Sequence, residues 1–327
     1  MKTSGARLSA ACVLLTVVAF SLIHSVPAHS YLSLGSASGG KFTADKWTTL
    51  PVAIQISTKI APGAKLVGNT RFETVIQNSL ASWNQAPNFQ SPLGAATLDS
   101  LTAPQDGINL ICFCTSNPGF NNNDGTLALT VTTTSGSQII GANIFFNPQP
   151  SGVCFATDSG VASCPNGSDA VQDLQTVATH EIGHFIGLDH SGVVRAVMFP
   201  FAPDKQTRLS WDDAAGASLM YPKSAPDVAT GGISGAVSLN GSGVFGAHVF
   251  ANSTSGNNAF SGFPNLRKTP IGMLTDLNGS YTILGLPPDS YEVIAEPLDG
   301  PVDNSNVDWA SDFGQGSVRT NFTSRWH

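Results

Sequence analysis

The sequence predicts an α+β domain followed by a smaller all-β domain, and three observations carry that division. Up to about residue 221, short alternating segments that read as strands are interleaved with two stretches of helical periodicity, at 71–83 and from 168 onward. Residues 223–232 are rich in small residues and proline, the composition of a linker. Beyond them come short alternating runs broken by Asp, Asn, Gly and Pro turns, with no helical period. The expected boundaries are a leader over 1–28, the α+β domain over 29–222, the linker over 223–232 and the β domain over 233–327.

The leader opens on Lys2 and Arg7, continues as an apolar run over 8–23 and ends on Val26-Pro27-Ala28, small residues suited to a signal peptidase. An uncleaved anchor is the alternative; the proline and small residues at the end of the run favour cleavage near His29. No later stretch is long and apolar enough to span a membrane, so no stable insertion is expected after cleavage and the product is expected outside the cell. The formal net charge is −7, and the leader holds two of the basic residues and no acidic ones. An acidic surface argues against a nucleic-acid partner, which needs a basic face. Four of the five cysteines, Cys112, Cys114, Cys154 and Cys164, follow the leader. In an oxidising compartment they suggest two disulfides, in preference to a four-cysteine metal site that would use C-x-x-C spacing. Cys112 and Cys114 fall on one face of a strand, so cross-links from that strand to the 154–164 loop are expected.

Within the first domain, 52–57 alternates as a strand, with Trp47 covering the core edge. Phe72, Val75, Ile76, Leu80 and Trp83 then recur at helical spacing and mark a helix whose apolar stripe is core. Residues 108–113, 127–132 and 139–146 read as further strands. The second helix is expected to start at Ser168, a good N-cap, with Val171, Leu174, Ala178, Ile182 and Phe185 as its buried stripe. Ser210 and Asp213 form a capping box for a third helix, which gives Asp212 and Asp213 structural work.

Residues 180–190 read His-Glu-Ile-Gly-His-Phe-Ile-Gly-Leu-Asp-His. On a helix, His180 and His184 present two imidazoles from one face, with Glu181 beside the first. Gly187 can take the left-handed conformation that ends a helix, turning the chain so that His190 returns as a third nitrogen ligand. Three protein ligands leave a tetrahedral position open, the arrangement of a catalytic metal. Of seven histidines, these three are the only ones between residues 30 and 247, so ligand spacing is a better reading than core or surface histidines.

The pattern H-E-x-x-H-x-x-G-x-x-H, with Val177-Ala178-Thr179 before it and Ser191 after it, resembles the metzincin metallopeptidases of the matrixin branch. Ala196-Val197-Met198-Phe199-Pro200 is similar to the family's Met-turn, and 209–213 and 219–221 to the ends of its C-terminal helix. The resemblance implies a metzincin-like catalytic domain, a twisted mixed sheet with long helices around a zinc cleft. It implies one catalytic zinc on His180, His184 and His190, Glu181 as general base, Met198 as an apolar floor, and protein or peptide substrates. It also implies that 141–147 is the edge strand lining the upper rim of the cleft, where an extended peptide adds itself as a further strand.

Three departures limit what carries over. Pro200 stands where some metzincins have a tyrosine that holds the transition-state oxygen. No histidine is available for the structural zinc of many matrixins. Their calcium sites have no residue-by-residue support; Asn121-Asn122-Asn123-Asp124-Gly125 reads as a polar turn. In the C-terminal region, 233–239, 243–251 and 290–297 read as strands joined by turns such as 275–281 and 284–289. They resemble a carboxypeptidase regulatory-like, transthyretin-like β-sandwich, irregular after Asp299 where the chain turns polar. Every residue expected to carry chemistry lies before Tyr221, so the β domain is expected to be separable. Two rival functions stay open: an exported binding or adhesion protein with a residual zinc site, against which the intact Glu181 argues, and a metallohydrolase of non-peptide bonds. Nothing in the sequence specifies an oligomeric state.

Overall fold

The computed structural model describes residues 13–17, 31–115, 120, 125–201, 205–255 and 265–326. Its central sheet has β1 (Val52–Ile60), β2 (Leu93–Asp99), β3 (Leu110–Phe113), β4 (Ala128–Ser135) and β5 (Gln138–Phe146), with the short strand Lys46–Trp47 beside β5. Across the sheet the order is β2-β1-β3-β5-β4; all neighbours are parallel except β4, which runs antiparallel to β5. Because strand residues alternate between faces, Ile111 and Phe113 join the main core while Leu110 and Cys112 pack with Cys114 and Phe145 on the other side. Helix α1 (Phe72–Trp83) lies on the core face: its expected stripe is buried, and Phe72 meets Phe113 and Phe146 edge-on at 5.1 and 5.5 Å. Helix α2 (Leu174–Phe185) packs beside it, and Trp83 Nε1 donates to the Thr179 carbonyl at 2.8 Å.

Three expectations are corrected here. The edge strand is β4; β5, which holds residues 141–146, is flanked by β3 and β4 and offers no free edge. Helix α2 begins at Leu174, with Asp173 as the cap accepting from Thr176 N at 2.7 Å. Residues Ala170–Asp173, Val171 included, instead extend a parallel sheet with Val153–Ala156 and Leu66–Val67. The disulfides join Cys112 to Cys114 and Cys154 to Cys164. Cys154 sits in that second sheet, apart from β3, so its loop closes on itself.

Helix α3 (Trp211–Met220) carries the expected capping box of Ser210 and Asp213. After it come β6 (Gly231–Leu239), β7 (His248–Ser253), β8 (Ile271–Leu274), β9 (Ser280–Leu286) and β10 (Tyr291–Glu296). β6 pairs with β9, and β7 lies between β8 and β10, all antiparallel. Residues expected as turns thus form β9. The expected linker is not free: Asn88 bonds Asp227 and Val228 through its backbone N–H and side chain. The polar tail after Asp299 is spiked with apolar anchors. Val302, Val307, Trp309 and Phe313, the last two in helix α4 (Trp309–Asp312) and at its end, join a second core with Leu32 and Phe42. Phe42 stands on the hairpin Gly35–Ser38/Lys41–Ala44.

Of the expected leader, only Val13–Val17 is described, as a strand antiparallel to residues 235–239. The cleavage site, the residues 121–124 of the polar turn, and His327 lie outside the described residues.

Candidate metal centre

His180 and His184, one turn apart on α2, and Glu181 open into a single cleft together with His190. The turn that returns His190 depends on Gly187, whose φ of +99° is closed to a side chain and whose added Cβ would strike the Asp45 carbonyl. Gly187 N and Leu188 N donate back to His184 O and Gly183 O, both at 2.9 Å, ending the helix. Side chains satisfy its last carbonyls: Trp47 Nε1 donates to Phe185 O and the Tyr221 hydroxyl to Ile186 O, both at 2.8 Å.

Each imidazole is held by a main-chain carbonyl at Nδ1: His180 by Val197 at 2.7 Å, His184 by Leu188 at 2.8 Å and His190 by Asn306 at 2.5 Å. A carbonyl only accepts, so every Nδ1 carries the proton and every Nε2 is a bare lone pair. The Nε2 atoms of His180 and His184 face each other 3.1 Å apart with no proton between them, and the three ligand nitrogens lie within 4.8 Å of one another. Facing lone pairs repel unless a cation lies between them; tetrahedral zinc would hold such nitrogens roughly 3.3 Å apart. Burial adds to the fit. It pushes His180 down to about 3 and His184 and His190 below the usual imidazole range, favouring the neutral form that binds metal. Among the described residues no other group of three His, Cys, Asp or Glu side chains converges in this way. The donor set therefore fits zinc.

A family model described as matrixin matches residues 46–222, more than half of the chain. The chain belongs to the matrixins. The family is one of zinc metalloendopeptidases. Over 53 residues the chain is 47% identical to metalloendoproteinase 5-MMP of Arabidopsis thaliana, covering 16% of this chain and 15% of that protein. It is 43% identical over 49 residues to karilysin of Tannerella forsythia (15% and 10% covered). To matrilysin of Rattus norvegicus it is 39% identical over 61 residues (18% and 23%). The chain thus spans less than a quarter of the length of each of these relatives.

Around the matrixin histidines the structure assembles the rest of the site. Glu181 is buried, which raises its carboxyl to about 7 against the pull of a Thr130 hydroxyl that donates to Oε2 at 2.6 Å. Thr130 comes from the edge strand β4, whose Ala128, Leu129 and Thr130 line the cleft opposite the helix. Met198 lies buried against Gly183, where any Cβ would meet its sulfur and Trp83. The Met-turn is anchored by Asp213, which accepts from Val197 N at 2.8 Å and Met198 N at 3.0 Å. Asp212 accepts from the Ser191 hydroxyl at 2.6 Å and from Gly272 N at 2.9 Å, tying the ligand loop to the C-terminal strands.

Sequence reasoning singled out the three histidines, Glu181 and Met198; the structure gathers the histidines and Glu181 in one cleft and packs Met198 beneath it against Gly183. It missed Thr130 and the far-off residues Ser305, Asn306 and Asp308, which line the same cleft. The alternation of β4 marks Thr130 as inward-facing but says nothing of its partner, and no local signal marks Asn306.

Proposed function

We propose that this chain is an exported zinc endopeptidase, in which His180, His184 and His190 hold one zinc ion through Nε2 and Glu181 is the general base. The observation that carries the reading is the set of three Nε2 atoms converging beside a buried carboxyl, in a cleft whose opposite rim is a strand edge with no partner strand among the described residues. When bound, zinc supplies a Lewis acid that lowers the pKa of a water and polarises the scissile carbonyl. Glu181 would accept a proton from the water that attacks the carbonyl carbon and would deliver it to the departing amine nitrogen as the C–N bond breaks. The Thr130 hydroxyl fixes the carboxylate for both transfers. The outer edge of β4, unpaired among the described residues, offers main-chain donors and acceptors to an extended peptide, which would lie as one more strand.

The same reading takes residues 1–28 as a cleaved leader, 29–222 as the catalytic domain and 233–327 as a carboxypeptidase regulatory-like β-sandwich. Two facing antiparallel groups, β6/β9 and β8/β7/β10, support the last assignment. Among the described residues no helix is long and apolar enough to cross a membrane.

The test is hydrolysis of an unstructured protein by the purified chain beginning near residue 29. Cleavage that is abolished by a zinc chelator and restored by zinc is expected. Glu181→Gln should keep about one zinc per chain yet lose activity by several orders of magnitude. Residual cleavage by zinc-loaded Glu181→Gln would show that another group is the base.

A further inference from the structure

The connection from His184 to His190 has no regular structure of its own after Gly187, so His190 must be positioned by what packs on it. On one side the N-terminal segment does this, with Leu34 N donating to Gly187 O and Asp189 N to Leu32 O at 2.9 and 3.0 Å. On the other side the partners come from the far end of the chain. Asn306 O accepts from His190 Nδ1, and the buried Asp189 carboxylate accepts from His190 N at 2.6 Å and from Asp308 N at 3.0 Å.

The turn that presents the Asn306 carbonyl is built for it. Asn306 N donates to Asp303 O and Asp303 N to Asn306 Oδ1, both at 3.0 Å, while Ser305 N and its hydroxyl donate to Asp303 Oδ1 at 2.8 and 2.6 Å. The turn is then clamped from behind. Trp309 Nε1 donates to Thr275 O at 3.0 Å, and the indole packs between Phe42 and Phe313, centroids 5.2 and 4.9 Å away.

We propose that the turn 303–308 is part of the metal centre: the Asn306 carbonyl is the positioning group that sets the tautomer and ring angle of His190, and Asp308 N–H locks it through Asp189. The C-terminal region thereby orients a ligand that the matrixin segment supplies. This rests on the zinc reading above. A ligand imidazole whose outer partner is lost typically gives up 10–100-fold in metal affinity.

The test compares zinc dissociation constants, measured by chelator competition, for the wild type, the control Trp326→Ala and the double variant Asn306→Ala/Asp308→Pro, which keeps the Asn306 carbonyl but removes the Oδ1 and the N–H that hold its turn against His190. Asp308 has φ of −84°, near the value that proline imposes, and Trp326 is exposed in the same region away from the cleft. The double variant should bind zinc about 10–100-fold more weakly while its metal-free melting temperature moves little; the control should match the wild type. Wild-type zinc affinity in the folded double variant, or a fall in melting temperature with affinity unchanged, would overturn the proposal.

A second measurement needs no variant: nitrogen-15 NMR of the histidine side chains in the zinc-loaded wild type. It should find His190 protonated at Nδ1 and ligating through Nε2; ligation through Nδ1 would sink the idea. Failure of the peptidase reading looks different: a wild type that binds zinc with the affinities predicted here but cleaves no peptide.

Discussion

At residue 187 a single hydrogen in place of a side chain decides whether His190 can return to the cleft. Gly187 combines a positive φ with close approach to the Asp45 carbonyl, so Gly187→Ala carries both backbone strain and a main-chain clash. A loss of about 1–3 kcal/mol in stability is expected, read by denaturant unfolding, together with weakened zinc binding because His190 is displaced. Thr130 works at the same scale on the base. Thr130→Val removes the donor to Glu181 and should lower kcat by about 10–100-fold, the worth of a hydrogen bond to a charged group, with zinc content unchanged. The two residues differ in how they could be read in advance. Gly187 is fixed by local spacing, since the turn it makes lies between two histidines of one motif. Thr130 acts across the cleft, 51 positions from Glu181, and only the register of β4 against β5 aims it there.

At the scale of elements, the Met-turn and α3 form one hydrogen-bonded unit. Asp213 accepts from Val197 N, Met198 N and Ser210 N, and Val197 in turn holds His180 through its carbonyl. Asp213→Ala should leave three buried N–H groups unpaired and cost about 3 kcal/mol or more, seen as a lower melting temperature, and it should also weaken zinc binding through His180. The capping box behind this unit was legible because its four positions are contiguous, as was the apolar stripe of α1. The start of α2 was not. Ser168 is as good a cap as Asp173 by chemistry alone, and what excludes it is the pairing of Ala170–Asp173 with Val153–Ala156, a contact between strands that the local sequence does not encode. The two disulfides were expected, but their pairing and the edge strand were missed for the same reason. Alternation says which face a residue takes, whereas the order of strands across a sheet depends on which segments meet.

At the scale of the whole molecule, one continuous core runs from the central sheet through α3 to β6–β10. A chain ending near residue 223 would uncover Trp211, Ala214 and Ala215, and is expected to be less soluble and less stable than the full chain, measurable by light scattering and thermal melting. Charge crowding at the seam predicts a pH effect. The Asp312 carboxyl is raised to about 7, first by burial and then by Asp189, Asp308 and Asp45. The folded protein thus holds this proton more tightly than the unfolded chain, where the ordinary value is about 3.9, and the group's ionisation erodes stability as pH rises from about 4 through 7. Asp312→Asn should therefore raise the melting temperature at pH 8, with the gain vanishing near pH 4; an equal gain at both would refute the electrostatic cause. The separation of 116 positions between His190 and Asn306 also bears on timing during biosynthesis. A ribosome adding 5–20 residues each second leaves His190 without its carbonyl partner for roughly 10 s after His180 and His184 have emerged. Through that interval the nascent polypeptide carries His190 without the partner that orients its ring, and the proposed centre stays unassembled however early its three histidines are made.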